Sequence, residues 1–363
     1  MLHMYLAMEQ ELLVVREQQG KWQAEARLTG MQTTSVASDP FQPERLYCGT
    51  FGRGLWRSLD AGDSWHPIGD PGKAMDSYRD NGIPHAQITS VAVSSTEKAG
   101  EYGVVYVGTE PASLYRSEDG GESWQDLKTL RDLPSASSWS FPPRPYTNHV
   151  RWITPDPLVA GRLFVAIEAG ALIRSVDGGQ TWMDRQPGGP LDTHTLRMHP
   201  RVPDRLYSAA GDGFGRMHGR DTHGYNESLD AGATWRYPDA GLQHHYLWSI
   251  AVDAADPDTI LISASPGPGE AHRAHSLEEA LSFVYRKQGG TPWQKVTEGL
   301  PEPQDTVIPV LANHPHQTGQ FYMLTNKGLF SSSDTGLNWR PIDIPWSPTY
   351  QRQHQQALLI TEH

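Results

Sequence analysis

Short stretches of alternating apolar and polar residues, each followed by a turn, run along the whole chain. Pairs such as RLYCGT and GLWRS (45–50 and 54–58), or RLFVAI and ALIRS (162–167 and 171–175), are rich in β-branched and aromatic residues and predict two adjacent strands. Another strand precedes each pair and ends in a turn with Pro or Asp, as in TSVASDP, RWITPDP, TLRMHPRVPD, WSIAVDAADPD and IPVLANHP. With one more strand after the Trp that closes each unit, the pattern predicts four strands per unit.

The turn before that Trp repeats almost verbatim. SLDAGDSW (58–65), SEDGGESW (117–124), SVDGGQTW (175–182), SLDAGATW (228–235) and SSDTGLNW (332–339) share Ser, Asp, Gly and Trp at fixed offsets. RKQGGTPW (286–293) keeps the glycine and Trp293 but has Gln288 in place of the acid, and REQQGKW (16–22) is a fainter copy. The Trp positions 22, 65, 124, 182, 235, 293 and 339 give a period of 43 to 59 residues, which is the mark of a repeat architecture. In such a turn the carboxylate accepts backbone N–H groups, the glycine supplies positive φ and the Trp offers an apolar body to bury. Asp60, Asp119, Asp177, Asp230 and Asp334 are therefore expected to be structural, since five equivalent turns cannot all supply one catalytic acid.

Four-stranded units of this length are propeller blades. The N-terminal stretch supplies three strands without a first, and HQQALLITEH at the C-terminus supplies one strand without successors. The expectation is an all-β, seven-bladed β-propeller forming a single domain over 1–363. One blade is closed by 1–29 plus 350–363, and six more span about 30 to 349.

On these boxes the chain resembles the Asp-box, or BNR-repeat, β-propellers, a family shared by sialidases, sortilin-type receptors, certain glycoside hydrolases and photosystem assembly factors. The resemblance covers essentially the whole chain and implies the fold, but one fold hosts many functions. It does not extend to the sialidase catalytic set. No Arg-Ile-Pro occurs, NGIPHAQ (81–87) has Gly82 where the arginine belongs, and Arg53, Arg79 and Arg144 do not map onto an arginine triad. The chain reads as a non-sialidase member.

Composition narrows the partners. A net charge of -12 argues against nucleic acid and against an anionic membrane surface. The single cysteine, Cys48, has nothing to pair with. MLHMYLAMEQE lacks a basic n-region, and its apolar stretch is cut by Glu9, so it reads as neither signal peptide nor anchor. A cytoplasmic protein, monomeric or weakly oligomeric, is expected.

The loops opposite the boxes carry the candidate chemistry, because closed β-folds place ligand sites at such mouths. The starts of the inner strands bring His85, His149, His194, His244 with His245, Asp305 and His354. The loops between second and third strands bring Arg53, Glu110, Glu168, Asp212, Glu270 and Asn326. Histidines and carboxylates converging from several blades suit one transition metal ion, iron, copper or zinc, with His85, His149, His194 and His245 as ligands. Glu110, Glu168, Arg53 and Tyr146 are the candidate catalytic groups. His199 and His314, in HP turns where other blades have Asp39 and Asp156, are expected to be structural.

Two long loops, 211–227 and 265–283, bring His218, His223, His272, His275, Arg216, Arg220, Arg273 and Tyr225 to the same face. SLEEALSF (276–283) is short enough for a helical lid, and 130–149 adds Trp139, Phe141, Arg144 and Tyr146 as a wall. No H-E-x-x-H, G-x-S-x-G, P-loop or dinucleotide fingerprint is present.

Three functions follow from this sequence. The leading one is a metal-dependent enzyme acting on a small polar substrate at the channel mouth. The second is a non-catalytic propeller that binds a small-molecule or peptide ligand, or assists assembly. The third is a glycoside hydrolase, which needs two carboxylates at a set separation.

Overall fold

The computed structural model describes residues 1–69, 81–213, 223–273 and 279–363. Among the described residues its regular structure is seven antiparallel sheets, one short α-helix, Pro268–His272, and a few 3₁₀ turns; six sheets are meanders of consecutive strands, and the seventh sets Ala357–Glu362 beside Leu2–Ala7. The sheets are the blades of a seven-bladed all-β propeller, as the repeat predicts.

Five sheets have four strands and two have three. The fourth strand is short in most blades: three residues at His66–Ile68 and Gln294–Val296, two at Gln125–Asp126 and Arg340–Pro341. In the two three-stranded blades it shrinks to single bridges, Arg174 to Met183 and Glu227 to Arg236, while the blade shared by the chain ends keeps a full outer strand, Lys21–Arg27. An outermost strand has no neighbour beyond it, so a short one adds no long exposed edge.

The chain divides into two compact units. A three-sheet unit comprises Gln10–Leu12, Ala26–Thr193 and His363, and a four-sheet unit comprises Met1–Glu9, Leu13–Glu25 and His194–Glu362. In the three-sheet unit, Tyr47, Leu55, Val105, Val107 and Trp124 fill the space between the first and second sheets. Val104, Tyr106 and Leu114 meet Leu163, Val165 and Ile173 between the second and third. Trp124, the Trp of an Asp box, is buried there as expected.

The four-sheet unit holds the blade made from both chain ends. Ala357–Glu362 pairs antiparallel with Leu2–Ala7, from Leu2 opposite Glu362 to Ala7 opposite Ala357. Met4, Leu6 and Ile360 of this blade pack on Tyr322, Leu324 and Leu329 of the next. Strands covered on both faces lose the period-two signal: every residue of Tyr246–Val252 and of Thr259–Ser265 is buried, whereas the outer strand Lys21–Arg27 alternates.

The five Asp boxes are locally closed. Ser58 Oγ donates to Asp60 Oδ1 (2.7 Å) and accepts from Gly62 N (2.8 Å), while Ser64 N and Oγ donate to the two oxygens of Asp60 (2.9 and 2.6 Å). The same bonds form around Asp119, Asp177, Asp230 and Asp334. The residue before the second glycine, Ala61, Gly120, Gly178, Ala231 or Thr335, has φ between +52° and +71°, which accounts for glycine at two of the five positions. Partial burial works to raise the carboxyl pKa of Asp60, Asp119, Asp177 and Asp334, but the hydroxyl and backbone donors outweigh it and all four fall below the ordinary value. At Asp230 the Thr234 hydroxyl is the chief cause, and the pKa drops to about 2.

The second recurring turn is structural too. Asp39 accepts from Phe41 N and Gly103 N, and Asp156 accepts from Leu158 N and Val159 N. In the four-sheet unit His199 and His314 do the same work, accepting from Arg201 N and His316 N (both 3.1 Å).

Candidate functional site

Three of the predicted residues meet in the three-sheet unit. The turn between Tyr102–Thr109 and Leu114–Ser117 presents Glu110, the start of Val150–Pro155 presents His149, and the turn after Leu163–Ile167 presents Glu168. His149 Nε2 lies 2.7 Å from Glu168 Oε2, and its Nδ1 lies 3.5 Å from Glu110 Oε2. Each ring nitrogen thus faces a different carboxylate. Nδ1, beyond good hydrogen-bonding distance of Glu110, has no hydrogen-bond partner.

Arg144 closes the far side of Glu110 with a two-pronged bond, Nε to Oε1 at 2.9 Å and Nη2 to Oε2 at 2.6 Å. This is the strong, directional form of the pair, and the Glu110 hydrogen bond is the chief cause of the raised pKa of the guanidinium. The same guanidinium lies over the rings of Phe51 and Phe141, 5.2 and 4.8 Å from their centroids. Phe141 also meets His149 edge to face at 4.7 Å. Glu110 and His149 are 7% and 6% exposed; the Glu168 and Arg144 side chains, at 13% and 37%, face outward more.

Local hydrogen bonds hold the parts in place. Asn148 Oδ1 accepts from Ala112 N (3.0 Å) and its Nδ2 donates to Trp139 O (3.3 Å), tying the Glu110 turn to the wall segment. Glu168 N donates to His149 O at 3.3 Å.

Two further residues join the centre that the sequence reading did not single out. Arg151 Nε stands 3.7 Å from Glu168 Oε2. Asp192, which accepts from Ala169 N at 2.8 Å, brings a carboxylate oxygen within 4.8 Å of Glu168. A register shift between Val150 and Trp152 takes Arg151 out of the strand's alternation, so no period of two points to it. Asp192 lies in a connection, where no periodicity points to it.

Tyr146 is 85% exposed and Arg53 is also exposed, so the structure does not fix either in the centre. His85 lies 6.4 Å from the Tyr115 ring, with its pKa lowered by burial and then by Arg131. In the four-sheet unit His194 is buried, with Nδ1 2.6 Å from Leu247 O. His245 is half-buried, and its neighbour His244 bonds Tyr285 Oη through Nδ1 at 2.7 Å. Asn326 is a scaffold residue, accepting from Val307 N and donating to Asp305 O. Arg79, Arg216, His218, Arg220, His275 and the first part of the SLEEALSF segment lie outside the described residues. Among the described residues of the 265–283 loop, Pro268–His272 is an α-helix.

The centre as built offers an acid or base, Glu168, oriented by an imidazole. Behind it Glu110 is locked by a guanidinium, and an aromatic wall stands beside them. Such a set can exchange a proton with a bound hydroxyl or hold a polar ligand by several hydrogen bonds.

No family model matches the chain. Over 293 residues it is 23% identical to a xyloglucanase of a Paenibacillus species, a match covering 73% of this chain and 26% of that protein. Among solved structures it is similar to the GH74 enzyme of Niastella koreensis, with a TM-score of 0.60, 16% identity, and coverage of 85% of this chain and 46% of that one. It is similar also to YCF48 bound to a D1 peptide, with a TM-score of 0.55, 15% identity, and coverage of 90% and 92%. The structural likenesses establish the fold, and the chain spans about a quarter of the length of the curated relative it matches.

Proposed function

We propose that this chain is a glycoside-hydrolase-like propeller of the Asp-box type that takes an oligosaccharide at the centre formed by Glu110, Arg144, His149 and Glu168. The observation that carries the reading is Glu168, oriented by His149 Nε2 at 2.7 Å beside the Phe141 ring and the Arg144 guanidinium. Sugars present hydroxyls to carboxylates and apolar ring faces to aromatic side chains, and this centre offers both. Similarity to a xyloglucanase supports the same reading.

In this scheme Glu168 exchanges the proton and His149 positions it. Glu110 steadies the imidazole from the other side and is itself held by Arg144. The His149 ring fills the space between Glu110 and Glu168, so the two carboxylates do not flank a scissile bond as a glycosidase pair does, and Glu168 alone is left to exchange a proton.

The test is reducing-end release from xyloglucan oligosaccharides. Glu168→Gln is expected to lower kcat by about 10²- to 10⁴-fold, the usual contribution of a general acid or base, with KM little changed. A wild-type chain that neither cleaves nor binds a panel of such oligosaccharides sinks the proposal.

A second reading, a non-catalytic peptide-binding propeller, draws on one observation. The match to the peptide-bound YCF48 structure extends over nearly the full length of both chains. Tight binding of extended peptides at the Arg144 wall, with no hydrolysis of any sugar, would favour it.

A further inference from the structure

A second histidine centre lies in the four-sheet unit, built from residues the proposed reaction does not use. His272, the last residue of the helix Pro268–His272, directs Nδ1 at Nε2 of His354, 2.5 Å away. The outer nitrogen of each ring is held as well. His272 Nε2 lies 2.7 Å from Tyr246 Oη, and His354 Nδ1 lies 3.0 Å from the side-chain amide of Gln356. Trp248, 8% exposed, packs against both rings, at 4.5 Å from His272 and 5.7 Å from His354.

We infer that His272 Nδ1 and His354 Nε2 form a binding site for a late first-row divalent cation such as zinc or copper. Imidazole nitrogen suits these ions. A ligating histidine characteristically gives its other ring N–H to a fixed partner, which sets the tautomer and the ring orientation. Here those partners, Tyr246 Oη and the Gln356 amide, already stand on the two outer nitrogens, and Trp248 restrains both rings.

In the metal-free chain the Gln356 amide donates to His354 Nδ1, His354 Nε2–H donates to His272 Nδ1, and His272 Nε2–H donates to Tyr246 Oη. Cation binding moves the single proton of His354 from Nε2 to Nδ1, where a half-turn of the Gln356 amide presents its oxygen as acceptor. No proton is lost or gained, and both inner nitrogens become free to coordinate. Metal–nitrogen bonds of about 2.0–2.1 Å at a tetrahedral angle place the two nitrogens about 3.3 Å apart, so the rings, which now meet end to end with centroids 4.7 Å apart, separate by less than about 1 Å and each tilts by about 35° to turn its nitrogen to the ion. Water completes the coordination and leaves positions open for a ligand.

The experiment uses the full chain, stripped with a chelator and titrated with Zn²⁺ by calorimetry and with Co²⁺ by visible absorption. One equivalent is expected at micromolar or tighter affinity, with a cobalt spectrum of low coordination number. The chain has 16 histidines, so the variants decide. His272→Ala and His354→Ala should each remove that equivalent, while His149→Ala should keep it. Tyr246→Phe should keep the stoichiometry and weaken affinity about 10- to 100-fold. If a histidine-to-alanine variant has a lost far-ultraviolet spectrum, His272→Gln replaces it. Wild-type protein without a micromolar site, or unchanged stoichiometry in folded His272 and His354 variants, overturns the inference and leaves a proton-sharing pair. Neither outcome bears on sugar cleavage, so the two proposals fail separately.

Discussion

The Asp-box turns and the Glu110–His149–Glu168 centre use the same material, carboxylates held by several donors, to different ends. Around Asp60 every donor comes from within four residues of the chain. Around Glu110 the donor is Arg144, 34 residues away, and Glu168 takes its bond from His149, 19 residues away. A locally satisfied carboxylate needs nothing from the rest of the fold and offers nothing to a ligand. One held by distant residues depends on the fold for its charge balance and leaves part of its surface turned outward. Three sheets had to be stacked before the second arrangement could exist.

The largest effect that sharpens this contrast is on the distant pair. Arg144→Ala leaves Glu110 almost fully buried without its guanidinium. It should cost about 2–3 kcal/mol in urea unfolding, in the lower range for breaking a buried pair because Arg144 is partly exposed. Arg144→Lys, which keeps the charge and loses the fork, should recover only part of it. A loss below about 0.5 kcal/mol in the alanine variant would make the pair a surface contact and break the comparison.

Acid should act on the boxes next. Their folded carboxyl pKa values lie below the unfolded value of about 3.9, with Asp230 near 2. Their contribution is therefore fully present above about pH 4 and is lost as pH falls through the folded pKa values, near 2 at Asp230. Urea midpoints measured from pH 5 to pH 2 should fall across that window, and Asp230→Asn should shallow the slope. A midpoint flat across the window would mean that the box bonds add no net stability.

The smallest effect has the opposite sign. Ala231 sits at φ +55° in its box, where Asp119 and Asp177 are followed by glycine. Ala231→Gly relieves the left-handed strain and returns some of the gain as unfolded-chain entropy, for a net stabilisation of about 0.5 kcal/mol. A thermal midpoint that drops instead would show that the alanine methyl packs usefully.

Much of the fold was legible because its determinants are local. The five boxes, the Asp and His turns at 39, 156, 199 and 314, and the sharing of one blade between Leu2–Ala7 and Ala357–Glu362 all follow from patterns within a few residues or from counting strands. The candidate site was legible in part, since equivalent positions in successive blades return to one end of their sheets. That rule found Glu110, His149 and Glu168. It also named Arg53, which is exposed, as is Tyr146 of the 130–149 wall, and it passed over Arg151 and Asp192, because blade position says where a backbone turn lies and not where its side chain points.

By itself, then, the sequence determined the repeat, the blade count and the identity of the structural carboxylates, because turns and strands are set by short-range hydrogen bonding and by apolar period. Tertiary structure alone decided the pairings: Arg144 on Glu110, His149 between two glutamates, and His272 facing His354 across 82 residues. Such contacts depend on rotamers chosen when neighbouring sheets exclude water, and no local pattern encodes that choice.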